Sequence, residues 1–192
     1  ASDGNSSDTQ GTGANPGTDT QNIAVSITAV NDSPVISGLD ATSANVFTEG
    51  GSAVLLDTNA TLQDFELDAA DNWNGGSLTI ARNGGASTDD TFSFGGSAVT
   101  INSTNLVIDS TSRATFATTN GTLTVSFNAN ARASDVDAIL QAVTYANTSE
   151  APPASVTLAV TVSDGNSGNA QGTGLNPGTD TQNVAVNITA VN

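Results

Sequence analysis

The sequence predicts an all-β chain, an antiparallel β-sandwich carrying extra strands and one short helix. Three observations predict it. Only 11% of residues are charged and 36% are hydrophobic, and most of the rest is Thr, Ser, Asn, Gly and Ala. Thr suits a pleated, half-buried surface, whereas Gly, Asn and Asp suit turns. Several segments alternate apolar and polar residues with period two, as half-buried strands do. Turn signals such as Asn83-Gly84-Gly85, Gly95-Gly96 and Asn120-Gly121 separate them. Pro34 and the pair Pro152-Pro153 stand outside the alternating runs, where a missing N–H does no harm to a ladder.

The first residues are read from the end of the chain. Residues 2–31 recur as residues 163–192, at an offset of 161, with differences only at positions 7, 8, 9, 14, 23 and 26 of 30. A match of this length marks a tandem repeat. Residues 1–31 are therefore expected to be the closing hairpin of a preceding repeat, and residues 32–192 one complete unit. The abrupt start, with no visible signal peptide, is expected of a piece cut from a longer array.

Strands are expected at 46–48 and 53–56, flanking Glu49-Gly50-Gly51, and then at 77–81, 91–94, 99–101 and 106–108. The cleanest alternation is Thr122-Leu123-Thr124-Val125-Ser126-Phe127, followed by 156–162 and 184–191, with 23–30 as the echo of the last. One segment has a helical period: Val136, Ile139, Leu140 and Val143 fall at i, i+3, i+4 and i+7. Ser134 with Asp137 resembles a capping box, and Asp135 and Asp137 suit the positive end of a helix dipole. A helix over 134–142, with a structural role, follows. Tyr145 after it reads as core.

The charge is lopsided. Nineteen acids face three basic residues, for a net charge of −16, with no His, Cys or Met. Thiolate or imidazole zinc sites, Ser-His-Asp triads and disulfides lack their atoms. Nucleic acid is not an expected partner, because three arginines cannot offset phosphate repulsion. No apolar run approaches the roughly 18 residues that suggest a membrane span. Paired carboxylates could hydrolyse a glycoside, but one Trp and one Tyr cannot line a sugar cleft. The chain is expected not to be an enzyme. Surplus acid needs a counter-ion, and Ca²⁺ is the natural one, since it takes about six to eight oxygen ligands and needs no nitrogen or sulfur.

The densest acidic spacing is Asp64-Phe65-Glu66-Leu67-Asp68. In an extended strand these three carboxylates would share one side and repel unless a cation bridged them. Asp71, Asn72 and Asn74 follow, with Gly75-Gly76 allowing a sharp turn. The order is not that of an EF-hand loop, and a solvated acidic loop is the alternative. Asn31-Asp32-Ser33-Pro34 forms the junction between repeats, where an ion would stiffen an otherwise floppy linker. Glu49 sits at a strand-to-turn position and Asp164-Gly165-Asn166 ends a long strand. Asp89-Asp90 reads as a solvated loop. Trp73 is either a sugar-stacking platform among amides or a cover for an apolar edge.

These motifs resemble the cadherin-like repeats of large bacterial surface adhesins exported by type I secretion. The pieces that carry the resemblance are Glu49, Asp64-x-Glu66-x-Asp68, Val162-Ser163-Asp164-Gly165, the closing run Val186 to Asn192, and Val30-Asn31-Asp32-Ser33-Pro34-Val35. The resemblance implies an immunoglobulin-like sandwich with Ca²⁺ between successive domains. By similarity Asn31, Asp32, Asp64, Glu66, Asp68 and Asp164 are candidate ligands at the N-terminal junction, Asn31 through its carbonyl, while Glu49 faces the opposite junction; Asn74, in the oxygen-rich loop after the acidic run, is a further candidate ligand. It further implies an extracellular spacer on a bacterial cell surface that partners neighbouring repeats of the same chain. The other readings are a carbohydrate-binding module that takes surface glycans on Trp73, and a homophilic adhesive repeat. Absence of Cys agrees with a chain stabilised by ions rather than disulfides.

Overall fold

The computed structural model describes residues 1–4, 10–13, 18–40 and 45–191. In chain order the first strands are β1 (Val30–Asn31), β2 (Val35–Ser37), β3 (Val46–Thr48), β4 (Val54–Leu55) and β5 (Thr61–Gln63). Helix α1 (Phe65–Ala69) precedes β6 (Ser77–Arg82), β7 (Asp90–Phe94), β8 (Thr100–Asn102), β9 (Asn105–Ile108), β10 (Thr111–Thr119) and β11 (Thr122–Phe127). Helix α2 (Ala133–Gln141) leads to β12 (Val143–Asn147), β13 (Ser155–Ser163), β14 (Thr173–Gly174) and β15 (Thr179–Thr189).

Alternation builds the main layer. Val156, Leu158, Val160 and Val162 on β13, and Val184, Val186 and Ile188 on β15, are all buried, each worth about 1.5–3 kcal/mol of transfer free energy. The layer is an eight-stranded sheet ordered β3-β15-β13-β6-β11-β10-β9-β8. Its pairs are antiparallel except β15 with β3, which run parallel with Ile188 opposite Phe47. Facing it are a three-stranded sheet, β4-β12-β7, and the pair β2-β5. Rings bridge the layers: Phe47 meets Tyr145 at 6.2 Å, and Phe94 meets Phe116 at 5.1 Å. The all-β sandwich is thus the observed architecture, with two short helices where the sequence predicts one. Among the described residues no helix is long and apolar enough to cross a membrane.

Several local expectations are corrected. Strand β10 is not among the expected strands, since only Ala114 on it is buried and it has almost no hydrophobic period. It forms because Asn120 (φ 51°) and Gly121 (φ 74°) make a two-residue hairpin turn, pairing β10 with β11 from Thr119↔Thr122 to Ala114↔Phe127. Val143 belongs to β12, not to the helix, and pairs with Phe94. Helix α2 starts at Ala133 rather than at residue 134, with Arg132 as its N-cap. Its cap contact comes from Asp135, which accepts the Arg132 N–H at 3.0 Å, while Asp137 instead accepts the Leu62 N–H at 2.7 Å. Tyr145 is core, as its sequence position suggested.

The expected strand over 23–30 exists only at Val30, where β1 pairs in parallel with β14. Ile23, Val25 and Ile27 are 88%, 77% and 89% exposed, although their repeat equivalents Val184, Val186 and Ile188 are buried. A strand needs a neighbour, and these residues have none among the described residues. Parts of the expected hairpin, residues 5–9 and 14–17, lie outside the described residues.

Candidate metal centre

The candidate residues gather where the chain enters the unit. Strand β13 ends at Ser163 and delivers Asp164 into a fully buried position. Its Oδ1 accepts the Asn166 N–H at 2.8 Å, and its Oδ2 accepts the Gly178 N–H at 3.0 Å and the Asn31 Nδ2 at 2.7 Å. Gly178 is required there, because a Cβ would stand 2.6 Å from Asp164 Oδ2. Asn31 also donates Nδ2 to the Leu175 carbonyl at 3.1 Å. The incoming backbone rests on Gly172, which has φ +135°, and a Cβ there would lie 2.7 Å from the Val30 carbonyl carbon.

Asp64, Glu66 and Asp68 do not lie on a strand. Asp64 is the N-cap of α1, its Oδ1 accepting the N–H groups of Glu66 at 3.1 Å and Leu67 at 2.9 Å. The helix turns Asp68 back, so that its Oδ2 accepts the Asp64 N–H at 3.0 Å and its Oδ1 the indole N–H of Trp73 at 2.8 Å. Asp68 is therefore spent on local structure. Glu66 Oε2 accepts the Asp32 N–H at 3.3 Å, which fastens the junction to the helix. Asp32, Asp64 and Asp68 share a cleft of about 540 Å³ with Ser33, Val35 and Phe65.

Buried oxygens here are left without partners. Asn31 Oδ1, Asp64 Oδ2 and Gln171 Oε1 are enclosed and accept no hydrogen bond. Gln171 is tied to the same knot, since its Nε2 donates to the Asp164 carbonyl at 2.9 Å. Unpaired buried acceptors are costly and uncommon. Burial pushes the Asp64 carboxyl above its ordinary value of 3.8, the Leu67 N–H pulls the other way, and the charges of Glu66 and Asp164 push it higher still. No protein cation relieves this. The three arginines, Arg82, Arg113 and Arg132, stand beside Asp90, Asp135 and Asp71, and the chain has no other basic side chain.

Among the described residues, no three His, Cys, Asp or Glu side chains form a group that could hold a metal ion by themselves. Two of the three orphan oxygens are amide oxygens, which such a grouping leaves out. These unpaired oxygens are a mixture of carboxylate and amide, the oxygen chemistry that Ca²⁺ accepts. Gln171 and Asn166 were not anticipated from sequence. Asn166 is buried, donates to the carbonyls of Gly172 at 3.2 Å and Leu175 at 3.0 Å, and shapes the loop that carries Gln171.

Other candidates stand elsewhere. Glu49 lies at the far end, where its N–H donates to the Thr189 carbonyl at 2.9 Å and its carboxylate accepts the Val191 N–H at 2.8 Å. Asn74 is exposed and its N–H turns to Asn72 Oδ1 at 3.0 Å. Trp73 is completely buried and packs edge-on against Phe127 at 5.9 Å, so its ring offers no face to a sugar. Asp90 is buried rather than solvated, held by Arg82, Tyr145 and Asn147. No family model, curated protein or solved structure matches the chain.

Proposed function

We propose that this chain is a Ca²⁺-stiffened structural spacer, one repeat of an extracellular bacterial surface adhesin, with no catalytic role. The observation that carries the reading is the set of unpaired buried oxygens on Asn31, Asp64 and Gln171 at the point where one repeat hands over to the next. Asp164 and Glu66 add negative charge beside them. A bound cation would neutralise that charge and give the orphan oxygens a partner. Asn31 belongs to the linker, whereas Asp64, Gln171 and Asp164 belong to the body of the unit, so an ion held among them ties linker to body. Linker freedom falls, and the angle between successive repeats is held. The internal repeat supports an array, and the lack of Cys suits a protein that relies on ions instead of disulfides.

The test is a thermal melt. A site occupied at about a hundred times its dissociation constant stabilises by about 2.7 kcal/mol, so EDTA should lower the Tm by about 5–10 °C for a chain of this size. Excess CaCl₂ should restore it. Asp64→Asn and Gln171→Ala should blunt the response, while Asn74→Ala should leave it whole. An unchanged melt in EDTA, with no calcium found by elemental analysis, would sink the reading.

A further inference from the structure

The same eleven-residue strand occurs twice in this chain and meets two opposite fates. Residues 179–189 form β15, clamped between β13 and β3. Residues 18–28 match it at every position except Ile23 for Val184 and Ser26 for Asn187, so the apolar alternation is kept. Yet Ile23, Val25 and Ile27 stand almost fully in water, while Val184 and Val186 are 0% exposed. Thr18 bridges Ser2 and Asp19 pairs with Ala1, and the period-two apolar stripe left bare beyond them is a surface built for a partner.

The unit's own β15 slot cannot be that partner. Asn31 is fixed beside Asp164, next to Ser163, which pairs with Thr179 at the start of β15. Thr28 corresponds to Thr189, which pairs with Thr48 at the far end of the strand. An eleven-residue strand spans about 35 Å, whereas the three residues from Thr28 to Asn31 reach about 10 Å at most. Chain connectivity therefore excludes a folding-back, even though the sequence would fit.

We infer that residues 18–28 are the closing strand of a preceding copy of this same fold, filling its slot between β13 and β3 in the register of β15. That register places Ile23 opposite Leu158 of the preceding copy, Val25 opposite its Val156, and Ile27 beside its Phe47, as Val184, Val186 and Ile188 stand here. The strand then runs on through Ala29 into β1, which pairs with β14 of the next copy. One uninterrupted segment is thus hydrogen-bonded into two successive units, so pulling on the array loads backbone ladders on both sides of every junction. This inference rests on the duplicated strand and its exposure, not on a cation.

The test compares the chain with a two-copy protein in which residues 32–162 are fused directly ahead of Ser2, both in CaCl₂. The chain has no Cys, so Val25→Cys introduces a lone thiol. Its alkylation should be fast in the single chain and slower by about a hundredfold or more in the two-copy protein, as for a strand that opens only with its domain. Hydrogen exchange of residues 20–28 in the unsubstituted proteins should show the same contrast, which guards against a substitution that disturbs docking. Oxidation should join Val25→Cys to Val156→Cys of the preceding copy, because directly opposed strand residues lie within disulfide reach, and should not join it to Leu158→Cys. Equal alkylation and exchange in the two proteins would overturn the inference, as would cross-linking to position 158 in place of 156.

Discussion

Asp64 concentrates the physics of the junction in one side chain. One of its oxygens caps a helix and the other is buried with nothing to accept. Burial first, and then the charges of Glu66 and Asp164, raise its pKa above the ordinary 3.8. Asp137 is raised too, by burial and by the Asp68 charge. The sign follows from linkage: a carboxyl raised on folding binds protons more readily in the native state, so acidification favours the fold. That contribution is complete below about 3.8 and is lost as pH rises through the raised folded values. In EDTA, the Tm should therefore gain from these two groups as pH falls from neutral toward the carboxylate range. Asp64→Asn should flatten the trend most, since an amide keeps the capping oxygen and removes the charge, and Ca²⁺ should remove the Asp64 share. A Tm–pH curve unchanged by Asp64→Asn would contradict this account. The acids of the site were legible because carboxylates without basic neighbours stand out in a sequence. The amides Gln171 and Asn166 were not, because neutral polar residues are everywhere in this composition. One signal did exist: positions 168, 169, 170 and 175, which differ from the tail copy, are exposed, whereas 166 and 171 are kept.

Elements were readable in proportion to how one-sided their burial is. Strand β11 matched its expected bounds because Leu123, Val125 and Phe127 are buried and the residues between them are not. Helix α1 carries no apolar period in the sequence because its five residues bury only Leu67 and leave Phe65 74% exposed. Its marker is chemical instead, an aspartate whose side chain takes two N–H groups of the first turn. The buried polar knot joining β6, β7 and β12 was also hidden, since its members are distant in sequence. Asp90 accepts from Arg82 Nη2 at 2.7 Å, Tyr145 Oη at 2.7 Å and Asn147 Nδ2 at 2.9 Å. Burial and the bond to Asp90 push the Tyr145 phenol far above its usual range, so it stays a donor at any working pH. Arg82→Ala leaves a buried charge without its cation and should cost about 3 kcal/mol or more. Tyr145→Phe removes one donor and should cost about 1–3 kcal/mol. Urea midpoints at unchanged m-value would measure both, and an Arg82→Ala midpoint like that of the parent would show the ion pair to be idle.

Across the whole molecule, the proposed array would bring the two ends of the unit together at a joint. Glu49 grips Val191 where the chain leaves, and Asp164 receives Asn31 where it enters. Val191 is the repeat equivalent of Val30, so in an array both grips close on the same dipeptide. The net charge of −16 acts over the same scale. Screening of dispersed carboxylates should let NaCl raise the Tm of the metal-free chain modestly, because the Debye length falls to about 10 Å at 0.1 M. Calcium at equal ionic strength should raise it clearly further if ions are held at a site. Equal effects of the two salts would mean diffuse screening alone.

The sequence by itself determined the fold class, the repeat and its offset, and the identity of most acids near the junction. These follow from periodicity, composition and self-similarity, which are properties of neighbouring residues or of direct comparison. Packing settled which carboxylates are spent on helix caps, that Trp73 is interior, that Asp90 is buried, and that two neutral amides lie beside Asp164. Those outcomes depend on which donors reach which acceptors after distant segments have packed. The duplicated strand states the difference most plainly: nearly the same eleven residues are core in one copy and bare in the other, because burial belongs to the slot and the linker's reach rather than to the strand.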